Sequence, residues 1–140
     1  MRKWLFLLRA FFPSWRFFDD VGPELRLEIR FGGSEEQFSQ WQNALPPIHR
    51  SITNLPVNPQ GNLLHACHNL LNHLNGDIQD LNDLSAISEL TTYKLVRNLA
   101  RFQVFERIDP PFQFQFRLSA LHFDREGEQI LLSPVYGSKE

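Results

Sequence analysis

The fold of this chain depends most on residues 112–120, which read FQFQFRLSA. An apolar side chain stands at every second position of this stretch, and polar side chains stand between them. Successive side chains of a β-strand point to opposite faces of a sheet, so the alternation predicts a strand with one buried face. The chain has 13 phenylalanines, two tyrosines and three tryptophans. Because phenylalanine has no polar group, we expect this strand at the centre of the core.

Two further strands are expected to pair with it. Residues 24–31, ELRLEIRF, alternate just as strictly, and the following glycines end the pattern. Downstream, the polar residues 124–128 form a turn, and residues 130–132 are apolar again before Pro134. The sequence therefore predicts an antiparallel sheet of residues 24–31, 112–123 and 129–135, the last two forming a C-terminal β-hairpin.

Helices are expected between these strands. Ser34 and Gln37 have the spacing of a capping box, which predicts a short helix over residues 34–44. From residue 62 the apolar residues between Leu63 and Ile78 lie on one side of a helical wheel, which predicts a longer helix. The apolar spacing changes phase near Thr91, so we expect a break there and a further helix after it.

These elements predict a single α+β domain over residues 1–140, with three or four helices packed on one face of a small antiparallel sheet. A length of 140 residues suits one hydrophobic core. No run of apolar residues is long enough to span a bilayer. The single cysteine, Cys67, cannot form an internal disulfide, which favours a reducing, cytoplasmic compartment.

The first of two basic patches lies in residues 1–18, a leading helix or docking arm. The net charge of −2 means that binding to anionic surfaces needs such a local patch. This segment holds four basic residues, seven aromatic residues and no acidic residue. It can lie in a lipid interface, pack on the sheet or dock on a partner protein. The residues expected to bind an anionic membrane surface or a protein partner are Trp4, Arg9, Phe11, Phe12, Trp15 and Arg16.

The second patch is the helix after Thr91. With Leu95, Leu99 and Phe102 turned inward, its outer face would carry residue types that read DNA. Those candidate DNA-binding residues are Tyr93, Lys94, Arg97, Asn98 and Arg101.

A known DNA-binding motif has a similar pattern of residues over this part of the chain. The matching positions are Leu84, Ser85, Ile87, Leu90, Thr91, Leu95, Leu99 and Phe102. On these positions the chain resembles a helix-turn-helix, and residues 112–132 would supply the wing of a winged variant. The resemblance implies DNA binding. Two features depart from it, because Glu89 stands where glycine is usual and acidic residues crowd the preceding segment.

The sequence predicts no metal site, no cofactor and no catalytic residue. Zinc-ligand residue types occur at His65, Cys67, His68 and His73, but on the predicted helix Cys67 lies on the leucine face and the histidines lie opposite. We find no Gly-x-Ser-x-Gly motif and no phosphate-binding loop. We therefore expect a non-enzymatic accessory or interaction protein, cytoplasmic or peripheral at a membrane, docking through its N-terminal segment. The alternative is a winged-helix-like DNA-binding protein, and self-association is a further option.

Overall fold

The computed structural model describes residues 24–33, 37–45, 59–122 and 125–139. In these ranges the chain forms a mixed α+β fold, with two α-helices, one 3-10 helix and a five-stranded antiparallel sheet. The sheet order is β2-β1-β3-β4, and β5 pairs with the first residues of β3. The strands are β1 (Glu24–Gly32), β2 (Gln42–Asn43), β3 (Gln113–His122), β4 (Arg125–Leu132) and β5 (Tyr136–Gly137).

Strand β3 lies in the middle of the sheet, as its phenylalanines predict. It pairs with β1 along its whole length, from Gln113 opposite Gly32 to Leu121 opposite Glu24, and with β4 and β5 on its other edge. The side chains of Phe114 and Phe116 are fully buried. The strands predicted at residues 24–31 and 112–123 are therefore confirmed. The third predicted strand does pair with β3, but it covers Arg125–Leu132 instead of residues 129–135, so the expected turn at residues 124–128 is wrong from Arg125 onward.

The predicted helix over residues 34–44 is wrong for residues 38–44. Gln37 has 3-10 conformation, and residues 34–36 lie outside the described residues. The segment runs beside β1, where Ser39 N donates to Phe31 O at 2.9 Å and Ala44 N donates to Leu27 O at 2.8 Å. Backbone hydrogen bonds to a sheet edge have replaced the intrahelical bonds that the capping pattern favours locally. The short strand β2 is the result.

Two α-helices cover one face of the sheet, namely α1 (Pro59–Asp80) and α2 (Thr91–Phe105). Leu71 and Leu74 of α1 are fully buried, whereas Leu63 near its start is exposed. Thr92 Oγ1 donates to Asp77 Oδ2 at 2.6 Å and ties the start of α2 to the end of α1. Over the described residues neither helix is long and apolar enough to cross a membrane.

The expected break near Thr91 is confirmed, but the segment before it is a 3-10 helix (Leu84–Glu89) rather than an α-helix. Asp83 caps this segment by accepting hydrogen bonds from the hydroxyl of Ser85 at 2.5 Å and from its backbone N–H at 2.9 Å. These bonds lower the pKa of the Asp83 carboxyl. The expectation of three or four helices on a three-stranded sheet is thus corrected to two helices on five strands.

Candidate functional site

Helix α2 is apolar on two opposite sides. One side is buried against the sheet and consists of Tyr93, Val96, Ala100 and Val104. The opposite side is exposed, and there Leu95 is 49% exposed, Phe102 58% and Phe105 44%. Phe105 lies at the border of this side, since its ring also packs edge-on against the core residue Phe112, with 5.0 Å between the ring centres. Large apolar side chains aligned on an exposed helix face mark an interaction surface. We call this face the α2 ridge, and its residues are Thr91, Leu95, Asn98, Phe102 and Phe105.

The inward face predicted for this helix is therefore wrong. Leu95 and Phe102 face away from the core, and Leu99 is half-buried. Both sets of apolar residues recur at helical spacing, so periodicity alone cannot choose between them. The small side chains of Val96 and Ala100 let α2 lie close to a sheet that is already filled by phenylalanines. Leu95 and Phe102 are left outside, and Tyr93 is the large side chain of α2 that packs beside the Phe116 ring.

Tyr93 and Arg97, two of the candidate DNA-binding residues, help hold α2 to strand β5. Tyr93 is only 2% exposed, and its hydroxyl lies 2.7 Å from the hydroxyl of Tyr136. Burial, and after it this hydrogen bond, raise the pKa of Tyr93 above its ordinary value. The guanidinium carbon of Arg97 lies 5.4 Å from the centre of the Tyr136 ring. Tyr93, Arg97 and Tyr136 therefore form a cluster at the edge of the hydrophobic core.

The remaining candidate DNA-binding residues do not share one open face with these two. Lys94 is exposed, with its Nζ 3.3 Å from Glu89 Oε2. Asn98 is exposed on the α2 ridge, and Arg101 is half-buried. Along the chain the 3-10 helix is followed by α2, β3 and β4, which is the element order that the helix-turn-helix resemblance implies. The most exposed large side chains of α2, however, include the apolar Leu95, Phe102 and Phe105. DNA binding stays a prediction.

The sheet face turned away from the helices carries a stack of arginine and aromatic side chains that the sequence reasoning missed. The guanidinium carbons of Arg30 and Arg117 lie 4.8 and 4.6 Å from the ring centre of Trp41, and Arg30 also lies 4.9 Å from Phe38. Arg117 Nε donates to Glu28 Oε2 at 2.6 Å. The sequence feature that could have indicated this stack is the row of polar side chains at alternate positions of β1 and β3. With these partners, the arginines serve to cover the sheet.

An open depression of about 540 Å³ lies where β3 begins and β5 ends. Its lining includes Phe112, Gln113, Tyr136 and Lys139. Gln113 Oε1 is buried and has no hydrogen-bond partner among the described residues. The polar side chains of the lining are the amide of Gln113, the hydroxyls of Tyr136 and Ser138 and the ammonium group of Lys139.

The histidines and the cysteine of α1 are spread around the helix. Cys67 is buried, as predicted, and burial raises the pKa of its thiol. His65 and His73 are exposed, and His68 is half-buried. In the part of the chain that the structure describes, no group of three or more histidine, cysteine or acidic residues is placed to hold a metal ion. The burial of Cys67 and the exposure of His65 and His73 agree with the wheel argument that separated the cysteine from the histidines.

The candidate docking residues of the N-terminal segment lie outside the described residues. They are Trp4, Arg9, Phe11, Phe12, Trp15 and Arg16. Their expected role in binding a membrane or a partner therefore stays a prediction.

Comparison with known proteins adds no family and no relative. No protein-family model matches the chain, and no curated protein or solved structure is significantly similar to it. The feature of this chain that best indicates a function is therefore the α2 ridge.

Proposed function

We propose that this chain is a non-enzymatic interaction protein whose docking surface for a partner protein is the α2 ridge. The observation that carries the proposal is that α2 has two apolar faces, of which the described part of the fold buries one and leaves the other exposed. Leaving apolar area in water costs about 25 cal/mol per Å² relative to burying it. A partner that covers Leu95, Phe102 and Phe105 gains this free energy.

The way α2 is held supports the same function. Its buried side is anchored by Val96, Ala100 and Val104, and its first turn is bonded to α1 through Thr92. The α2 ridge is therefore presented on a helix that is already formed. Binding therefore does not have to offset the conformational entropy that a helix loses when it becomes ordered. Such preorganisation is a general source of affinity.

Site-directed photo-crosslinking in the cells that produce this protein tests the proposal. A benzophenone side chain is placed at Asn98, in the exposed centre of the α2 ridge, and in a matched control at Glu128, an exposed residue of β4. We expect a discrete adduct of defined mass from position 98 and none from position 128. Equal labelling from both positions, or no adduct from position 98 in a folded chain, would contradict the proposal.

A second candidate is docking on an anionic membrane, favoured by the four basic and seven aromatic residues in residues 1–18. Amphipathic segments of this composition bind lipid by burial of apolar side chains together with attraction to anionic headgroups. Co-sedimentation with anionic vesicles compares the full chain with a double variant, Arg9→Glu and Arg16→Glu. We expect the variant to bind more weakly, and added salt to weaken binding of the full chain. Binding that is altered neither by the two substitutions nor by added salt would contradict this candidate.

A further inference from the structure

The spacing of the α2 ridge points to one particular partner. Its five residues follow each other at intervals of four, three, four and three along α2, and all five are exposed. Two helices that wrap around each other need side chains at this alternating spacing along their seam. We infer that the α2 ridge is the interface of a parallel homodimer, in which α2 of one chain lies along α2 of a second copy. The inference rests on the proposed function, because it names the partner.

Charges beside the α2 ridge favour the parallel orientation. Arg101 directly precedes Phe102, and Glu106 directly follows Phe105, so the two charges lie on opposite flanks of the ridge. In a parallel pair each flank of one helix faces the opposite flank of the other. Arg101 of each copy then faces Glu106 of the other copy, and the interface has two complementary ion pairs.

The antiparallel orientation is electrostatically unfavourable for the same residues. In that arrangement each flank faces its own equivalent in the second copy. Lys94 and Arg101 lie on one flank, so these cations would meet the same two cations of the other chain. Charge complementarity therefore selects the parallel pair over the antiparallel pair.

Asn98 in the middle of the α2 ridge fits the same arrangement. In a parallel pair it lies opposite Asn98 of the second copy. A side-chain amide both donates and accepts hydrogen bonds, so the two amides can bond to each other. An amide pair of this kind within the seam favours the alignment that brings the two side chains together, at some loss of affinity. Thr91 at the start of the ridge is compatible with this alignment.

Sedimentation equilibrium of the purified full chain tests the dimer with four matched proteins. These are the wild type, Arg101→Glu, Glu106→Arg and the double variant that carries both changes. We expect the wild type to shift from one chain of 16.4 kDa to two as concentration rises. Each single variant places like charges opposite each other and should raise the dissociation constant roughly tenfold or more. The double variant restores opposite charges and should recover the dimer.

Controls keep this result specific to the α2 ridge. Lys139→Glu changes an exposed charge outside α2 and should leave the dissociation constant unchanged. Circular dichroism confirms that every variant is folded. A homodimer that is unaffected by the charge exchanges and by Phe102→Ser would use another surface, and this would overturn the inference. Tighter association of Arg101→Glu would indicate antiparallel helices and would overturn it too.

The dimer and the more general proposed function fail in different ways. A wild-type chain that stays monomeric at every concentration overturns the homodimer. If position 98 then crosslinks to a different protein, the α2 ridge is still a docking surface and the proposed function stands. If position 98 crosslinks to residues 1–18 of its own chain, the ridge is covered internally and both proposals are wrong.

Discussion

Two glycines are expected to respond in opposite directions to replacement by alanine. At Gly32 an added Cβ would lie 2.3 Å from the backbone oxygen of Gln37, where the chain returns along β1. At Gly76, inside α1, nothing lies within 4 Å of the added atom. We therefore expect Gly32→Ala to lower the free energy of unfolding by about 1–3 kcal/mol, and Gly76→Ala to raise it by about 0.5–1 kcal/mol.

Urea unfolding followed by circular dichroism measures both changes. The two variants serve as controls for each other, since they add the same methyl group. If Gly32→Ala is as stable as the wild type, the segment around Gln37 does not lie against β1. If Gly76→Ala is destabilised, the open space beside α1 is not there.

Tyr93 provides a pH-dependent prediction. Its burial and its bond to Tyr136 raise the pKa of the phenol, so the folded state favours the neutral form. The sign follows from linkage, since the stabilisation is fully present below the ordinary tyrosine pKa of 10.0 and is lost as pH rises above it. We expect the free energy of unfolding to fall above that pH, and to fall less in Tyr93→Phe. Denaturant titrations at several alkaline pH values measure the slope.

Phenolate absorbance gives an independent check, because the chain has only two tyrosines. In the Tyr136→Phe variant the phenolate absorbance comes from Tyr93 alone. This absorbance should appear at a higher pH in the folded variant than in the urea-unfolded variant. Identical titration curves for the folded and unfolded variant would show that Tyr93 is not buried.

At the scale of the element, neighbouring substitutions test which face of α2 is buried. Val96 is fully buried, and Leu95 lies on the α2 ridge. Val96→Asp places an unpaired charge in the core and should lower the free energy of unfolding by roughly 3–5 kcal/mol. Leu95→Asp should change it by no more than about 0.5 kcal/mol in a solution dilute enough to hold the chain as a monomer. Thermal unfolding of the two variants compares them, and the reverse order would mean that α2 is rotated.

The elements that sequence could predict are the ones with long, regular patterns. Strands β1 and β3 alternate over eight or more residues, and α1 keeps one apolar stripe for most of its length, so each pattern allows one structure. Strand β2 has two residues and depends on hydrogen bonds to β1, which no local pattern reports. The helix prediction failed over residues 38–44 because a capping pattern depends on neighbouring residues, whereas pairing with a sheet edge depends on residues distant in the chain.

The candidate site was hidden from sequence for a related reason. Helix α2 has one apolar set at Tyr93 and Val96 and another at Leu95 and Phe102, and either could face the core. The choice depends on how close α2 comes to the phenylalanines of β3, which is a property of the assembled fold. The basic and aromatic composition of residues 1–18 was visible, and its role as a docking segment stays a prediction.

In the whole molecule, the fold supports one exposed helix face. The sheet and α1 bury the inner side of α2, and the stack of Arg30, Trp41 and Arg117 covers the other side of the sheet. The largest exposed side chains of α2 are then those of the α2 ridge. If this is a docking surface, its solvent exposure should depend on whether the partner is present.

Hydroxyl-radical footprinting of the purified full chain over a range of concentrations tests this claim most directly. Oxidation at Phe102 and Phe105 is read by mass spectrometry, with the buried Phe114 as the internal reference. We predict that both ridge residues are oxidised much faster than Phe114 in dilute solution and become protected as the chain associates. Protection at every dilution would contradict an open α2 ridge, and full oxidation at every concentration would contradict docking between copies of the chain.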